Sequence, residues 1–172
     1  MDLIKELKEN KTILLLVSPT KYNDSVVAIT KKLSKQSLCY VTLNKTYQSL
    51  DETFNKKKIN CENIVYVDGI SKTIKKTPQQ VKNSYFVSNP GSLTELSLVI
   101  SKFLKHNFSY LVFDSLNSLI VYEKKAPVSK FVSSLVNKIR TSKTKAVFLA
   151  LEGYEDKIIK ETSMFVDKVI KV

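Results

Sequence analysis

Residues 109–122 read SYLVFDSLNSLIVY, and this stretch decides the fold. Residues 110–113 are apolar without any polar alternation, a pattern typical of a strand that is buried on both faces. Asp114 comes where such a strand would reach the edge of a sheet, and a second apolar run follows. The stretch therefore predicts an interior strand of a parallel sheet with a carboxylate at its carboxyl end.

Strand patterns alternate with helix patterns on both sides of this stretch. Further strands are predicted at residues 12–17, 38–43, 63–67, 145–151 and 167–172, with a short extended piece at 85–87. Helices are predicted at residues 2–9, 23–36, 46–58, 92–106, from 126 onward and at 155–165, with a surface loop at 70–83. Because strands connected through helices join by right-handed crossovers, we predict one doubly wound α/β domain over residues 1–172. Its sheet is mainly parallel with helices on both faces, and residues 1–10 form a short helix packed on it.

Two of the helix starts carry capping signals. Asn23 is a predicted N-cap because its side chain can accept from a first-turn amide. Ser92 and Glu95 have the spacing of a capping box, in which each side chain binds the other residue's backbone N–H.

Composition excludes several classes of protein. No apolar run approaches the roughly 20 residues that span a bilayer, and the start MDLIKELKEN is not a signal peptide, so we expect a cytoplasmic protein without a membrane partner. Cys39 and Cys61 have no histidine or cysteine near them in sequence and are expected to pack as small apolar groups. His106, the single histidine, ends a predicted helix, which argues against histidine-dependent catalysis.

The net charge of +12 comes almost entirely from lysine, since Arg140 is the one arginine among 28 basic residues. Lysines spread along the chain are typical of compositional bias at solvated positions. They are also typical of proteins that bind nucleic-acid phosphates, although base recognition favours arginine. A nucleic-acid partner would contact the two local clusters, which are Lys56, Lys57 and Lys58, and Lys72, Lys75 and Lys76.

Residues 13–25, ILLLVSPTKYNDS, have the layout of a phosphate-binding loop: a buried strand, a turn and a helix. Together with LCYVTLN, SYLVFDSLNSLIVY and KFVSSLVNKIRTSKTKAVFLAL, this order resembles the RecA-like ATPases, specifically the KaiC-like branch widespread in archaea. The resemblance covers nearly the whole chain from about residue 12. In that family the first loop carries GxxxxGK[ST], a catalytic glutamate follows the second strand, and a later strand ends in Asp and Ser.

Matched to the family, Asp114 and Ser115 correspond to the late-strand motif, and Ser25 falls where the magnesium-binding hydroxyl would be. The loop itself departs from the pattern, because Ser18 and Asn23 replace its glycines. Asp24 stands where the phosphate-binding lysine belongs, and residues 44–46 contain no acid for the glutamate. The resemblance thus implies a vestigial nucleotide site formed by Ser18, Thr20, Asn23, Asp24, Ser25, Asp114 and Ser115.

The exchange of lysine for aspartate is severe in energetic terms. A phosphate loop works because glycines let backbone N–H groups point at the anion while a lysine neutralises it. At an effective dielectric constant near 20, the lysine–phosphate attraction is roughly 4 kcal/mol for charges about 4 Å apart. An aspartate at the same distance replaces this attraction with a repulsion of similar size. We therefore expect conventional triphosphate binding to be lost, with no bound cofactor and no ATPase activity.

Three functions follow as hypotheses. The first is a non-catalytic RecA-like domain with a regulatory or scaffolding role, whose partner is another protein such as an ATPase of the same family, and which is a monomer or dimer. The second is nucleic-acid binding through the lysine surface. The third is a divalent-metal enzyme that uses an acidic edge of Asp114, Asp68 and Glu152. Asp114 itself has two interpretations, as a cap of the following turn or as a metal or ligand contact.

Overall fold

The apolar runs lie side by side in a parallel sheet. The structure is a computed structural model that describes residues 2–153 and 157–172, apart from the side chain of Lys125. In these residues the strands are β1 (Thr12–Val17), β2 (Leu38–Thr42), β3 (Ile64–Asp68), β4 (Ser84–Phe86), β5 (Tyr110–Asp114), β6 (Lys145–Leu151) and β7 (Lys168–Lys171). The helices are α1 (Leu3–Glu9), α2 (Tyr22–Leu33), α3 (Tyr47–Lys56), α4 (Ser71–Ile74), α5 (Leu93–Lys105), α6 (Leu116–Tyr122), α7 (Lys125–Arg140) and α8 (Lys157–Phe165).

The described strands form one seven-stranded sheet in the order β4-β3-β2-β5-β6-β1-β7, and every pairing is parallel. This confirms the predicted α/β class with its doubly wound sheet. Strand β5 lies near the centre, between β2 and β6, which explains its uninterrupted apolar sequence. Because all strands run in the same direction, their carboxyl ends lie along one side of the sheet, and Asp114 lies there at the end of β5.

Each face of the sheet is covered by its own set of helices. On one face, Tyr40 of β2 and Val112 of β5 pack in a core with apolar residues of α1, α2 and α3. On the other, Phe113 packs between Phe131 and Phe148, with ring centroids 6.1 and 5.8 Å away, in a core built with α5 to α8. Successive strand residues point to opposite faces, so Asp114 shares the face of Val112 and Tyr40.

Several boundaries differ from the predictions. Residues 71–74, predicted as loop, form the single turn α4, and residues 84–86 pair with β3 as the edge strand β4. The apolar run after Asp114 is the helix α6. The predicted start of the last helix, at residues 155 and 156, lies outside the described residues, and α8 is seen from Lys157.

The predicted N-cap at Asn23 is wrong, and the predicted N-cap at Ser92 is confirmed without the hydrogen bonds of a capping box. Helix α2 begins at Tyr22 with Lys21 at the N-cap, so Asn23 lies inside the first turn. Ser92 is the N-cap residue of α5 but its side chain makes no capping hydrogen bond. The Glu95 carboxylate instead accepts from the backbone N–H of Ser88 at 2.8 Å and from its hydroxyl at 2.6 Å, since the turn before α5 brings two donors of one residue within reach.

The cysteines and the histidine lie as predicted. Cys39 is buried in the core and Cys61 is half-buried, and both are free thiols. His106 is the exposed C-cap residue of α5. In the described part of the chain, no helix combines the length and the apolar character needed to cross a membrane.

Candidate functional site

The candidate site is centred on Asp114, whose side chain is buried at the carboxyl end of β5 with 1% of the residue exposed. Its carboxylate accepts three side-chain hydrogen bonds from three other segments of the chain. The Tyr40 hydroxyl donates to Oδ2 at 2.6 Å, and the Asn44 amide donates to Oδ1 at 2.9 Å. The Tyr22 hydroxyl also donates to Oδ1. Both carboxylate oxygens are therefore engaged by the protein itself.

Strand order and register bring these donors together. Strand β2 pairs directly with β5, placing Thr42 opposite Asp114 and Tyr40 opposite Val112 on the same face. Just beyond β2, the Leu43 N–H donates to the Asp114 carbonyl at 2.7 Å, which holds the turn carrying Asn44 against the end of β5. Tyr22 is the first residue of α2, and it packs against the core on the same face of the sheet.

Burial controls the protonation of this cluster. Desolvation raises the pKa of Asp114, because the hydrogen bonds from Tyr22, Tyr40 and Asn44 and the charge of Lys45 only partly offset it. Desolvation, followed by the charge of Asp114, also raises the pKa of the Tyr22 and Tyr40 hydroxyls. Both tyrosines therefore stay protonated across the working pH range, and they act as neutral hydrogen-bond donors.

The segment between β1 and α2 is short and closed on itself. After Ser18, residues Pro19–Lys21 form one 3₁₀ turn. The Lys21 N–H donates to the Ser18 carbonyl at 3.0 Å, and the hydroxyls of Ser18 and Thr20 lie 3.2 Å apart. The Ser18 N–H donates to the Val172 carbonyl at 3.3 Å. The Ser18 and Lys21 amides and the two hydroxyls of this turn thus have partners within the protein.

The other residues predicted for the site lie around this cluster without forming one pocket. Asn23 Oδ1 accepts from the Lys45 ammonium at 2.7 Å. Asp24 is exposed in the first turn of α2, where a carboxylate suits the positive end of the helix dipole, and Ser25 is half-buried beside it. The Ser115 hydroxyl is 3.3 Å from that of Ser118.

Sequence reasoning missed the residues that bind Asp114. Residues 44–46 stand out in the sequence only because they lack the expected acid, and the motifs do not point to Tyr22 or Tyr40. One signal was present, because Tyr40 falls within a buried strand, and a buried tyrosine hydroxyl usually has a hydrogen-bond partner. That signal does not say which residue the partner is.

The other two acids of the proposed metal edge have separate roles. The Asp68 carboxylate accepts from the backbone N–H groups of Tyr47, Ile70 and Ser71 at 2.7–2.8 Å and from the Ser71 hydroxyl at 2.6 Å. Glu152 lies 3.6 Å from the Lys171 ammonium. Within residues 2–153 and 157–172, no three or more His, Cys, Asp or Glu side chains are grouped to hold a metal ion. The structure does not bring these carboxylates together.

The two predicted lysine clusters lie at opposite edges of the sheet. Lys56, Lys57 and Lys58 follow the carboxyl end of α3, where the chain returns toward the start of β3. Lys72 is in α4, just after the end of β3, and Lys75 and Lys76 follow it.

Comparison with known proteins gives relatives in fold. KaiC-like protein PH0186 from the hyperthermophilic archaeon Pyrococcus horikoshii OT3 superposes with a TM-score of 0.67 at 15% identity, over 94% of this chain and 70% of that one. A second P. horikoshii OT3 protein, PH0250, superposes with a TM-score of 0.62 at 14% identity, over 100% of this chain and 88% of that one.

No protein-family model matches the chain, and no curated protein matches its sequence. The likeness to solved structures is therefore one of architecture, and it agrees with the resemblance seen in the sequence motifs. The chain shares its fold with KaiC-like protein PH0186 and with PH0250, and this is the RecA-like fold that the sequence motifs predicted.

Proposed function

We propose that this protein is a non-catalytic RecA-like domain that works by binding another protein, as a regulatory or scaffolding component. The observation that carries the proposal is the Asp114 carboxylate, which is buried and hydrogen-bonded by Tyr22, Tyr40 and Asn44. In the ATPases that the sequence resembles, the matching acid belongs to the nucleotide site. Here it belongs to the core.

A magnesium ion would compete with these three donors. Mg²⁺ binds oxygen ligands at about 2.0–2.1 Å and gives up its water shell reluctantly. To reach Asp114 it would have to displace at least one donor from a carboxylate with 1% exposure. The raised pKa of Asp114 also disfavours metal binding, since burial disfavours the charged carboxylate that a metal would need and the charge of Lys45 offsets this only in part.

The turn between β1 and α2, where a nucleotide phosphate would bind, is equally unfavourable for nucleotide binding. The turn at residues 18–21 contains no glycine, its two hydroxyls contact each other, and the Ser18 and Lys21 amides donate to the carbonyls of Val172 and Ser18. Asp24 adds a negative charge to the first turn of α2, the part of the helix that would meet a phosphate. Five surface cavities of about 360 to 550 Å³ are lined by other parts of the described chain.

Isothermal titration calorimetry with ATP and Mg²⁺ tests the proposal. We expect no saturable heat up to millimolar nucleotide. Binding tighter than about 100 μM, equivalent to roughly 5.5 kcal/mol, together with hydrolysis that Asp114→Asn abolishes, would overturn it. Asp114→Asn is the matched control because it removes the charge and keeps the side-chain shape.

The partner in this proposal is an ATPase of the same fold. What supports it is the preserved RecA-like architecture, together with a candidate site that is closed. Nucleotide no longer links subunits in this picture, so we expect a monomer or dimer in light scattering, and a stable hexamer would contradict it. The turnover of a candidate ATPase, measured with and without the protein, tests the regulatory role.

A further inference from the structure

One of the surface cavities lies at the amino-terminal end of the strands, opposite to Asp114, between the carboxyl ends of α2 and α3. It has a volume of about 360 Å³, and its lining includes three lysines and two asparagines: Lys31, Lys35, Lys58, Asn60 and Asn63. Lys31 and Lys35 come from the end of α2, whereas Lys58 follows α3. Of these three lysines, only Lys58 belongs to a cluster predicted from the sequence, and the fold adds the two lysines of α2.

The backbone around this cavity is well fixed. The Asn63 amide donates to the Ser34 carbonyl at 3.2 Å, joining the end of α2 to the segment before β3. Lys58 has a φ of 55°, and its N–H donates to the Asn55 carbonyl at 2.9 Å, which ends α3 in a defined way. The positions from which the lysine side chains extend are therefore set by the fold.

The cavity carries uncompensated positive charge. No carboxylate is among its lining residues. Across the described part of the chain, no ion pair or hydrogen bond engages the ammonium groups of Lys31, Lys35 and Lys58. The acid found beside the cavity is Glu62, whose carboxylate accepts from the Asn60 amide at 3.4 Å.

Helix dipoles account for only part of this charge. The carboxyl end of a helix is equivalent to about half a negative charge, so the ends of α2 and α3 together supply roughly one. Three lysines line the cavity and the Glu62 carboxylate lies beside it, which leaves a surplus of about one positive charge. A surplus of positive charge in a concave site attracts anions from outside the chain.

We propose that this cavity binds the phosphate backbone of double-stranded nucleic acid. Lysine ammonium groups are donors suited to phosphate oxygens, whereas the Asn60 and Asn63 amides already donate to Glu62 and to the Ser34 carbonyl. The lining has no aromatic ring on which an unpaired base could stack and no arginine to read a base edge, so binding is to the backbone and independent of base sequence.

Fluorescence anisotropy with a labelled DNA duplex, measured between about 50 and 200 mM salt, tests the proposal. Each phosphate contact contributes about −0.9 to the slope of log affinity against log salt, so three contacts give about −2.7, or roughly a 40-fold loss over this range. In the triple variant Lys31→Gln, Lys35→Gln and Lys58→Gln, we expect the slope to become less negative by about 2.7. A second duplex of different sequence should bind equally well.

The matched control is the triple variant Lys72→Gln, Lys75→Gln and Lys76→Gln, which removes the same charge at the other edge of the sheet. It should retain the wild-type slope and affinity. Equal losses in both variants would show a general charge effect and overturn the site, as would absence of duplex binding near 50 mM salt. Binding only to anionic lipid vesicles or to inorganic polyphosphate would overturn nucleic acid as the ligand. Thermal melts of both variants establish that they are folded.

Discussion

The Tyr40 hydroxyl lies 2.6 Å from Oδ2 of Asp114, and both groups are buried on the same face of the sheet. A buried carboxylate is tolerated only where donors satisfy it, and here the chain supplies three. This arrangement turns the acid at the carboxyl end of the central strand into a structural element. Its consequences for stability can be measured directly.

Tyr22→Phe should destabilise the protein, because it removes a donor from a buried carboxylate without changing the packing of the ring. We expect the free energy of unfolding, measured with urea, to fall by about 1–3 kcal/mol. Tyr122→Phe is the matched control, since Tyr122 is 50% exposed, and should change stability by no more than about 0.5 kcal/mol. An unchanged Tyr22→Phe stability would mean that this hydroxyl does not support Asp114.

The raised pKa of Asp114 predicts a specific pH dependence. Between the ordinary value of 3.8 and the raised value in the folded state, the folded protein binds the proton more strongly than the unfolded chain. The free energy of unfolding therefore falls as pH rises through this window, and the stabilising effect of protonation is complete only below it.

Asp114→Asn does not titrate, so its stability relative to wild type should improve as pH rises above the ordinary pKa of 3.8. Urea denaturation curves at several pH values in this range measure the slope. The slope is the informative quantity, because the variant also leaves hydroxyl donors poorly paired at every pH. A relative stability that moves the opposite way would mean that the donors outweigh burial and lower the pKa of Asp114.

Asp68→Ala should be among the more damaging polar substitutions. The carboxylate joins the start of α3 to the turn before α4 by accepting four hydrogen bonds. Leaving those donors without a partner should cost about 3–5 kcal/mol, as measured by chemical denaturation. Glu52→Ala, at an exposed position of the same helix, should stay within about 0.5 kcal/mol and serves as the control.

Divalent ions test the remaining enzymatic hypothesis for the acidic edge. Because Asp68, Asp114 and Glu152 each bind different protein groups, Mg²⁺ or Mn²⁺ should leave the melting temperature unchanged. A metal-dependent rise in melting temperature that disappears in Asp114→Ala would restore the metal site as a candidate.

Phe113→Ala should cost about 3–5 kcal/mol, since the ring is completely buried between Phe131 and Phe148 in the central strand. Leu98→Ala is the control, because Leu98 is 62% exposed on α5, and little change is expected. Thermal or urea unfolding measures both. Similar losses for the two variants would contradict the assignment of Phe113 to the core.

The sequence by itself determined the architecture. The apolar runs of β1, β2, β5 and β6 and the stripes of the helices report which residues are buried, and burial repeats with the period of each element. Strands alternating with helices then leave few ways to arrange the sheet. Helix caps were predicted less well, because the Glu95 carboxylate had nearby donors other than Ser92.

Only the tertiary structure decided what surrounds the functional residues. Tyr22, Tyr40 and Asn44 lie 92, 74 and 70 positions from Asp114. Tyr40 and Asn44 meet it because β2 pairs with β5 in one register, and Tyr22 meets it because α2 packs on the same face of the sheet. Lys31 and Lys35 likewise join Lys58 only because α2 and α3 end at the same edge of the sheet. Periodicity records how deeply each residue is buried, whereas the partner of a buried acid or a clustered lysine depends on strand order and register, which local sequence does not encode.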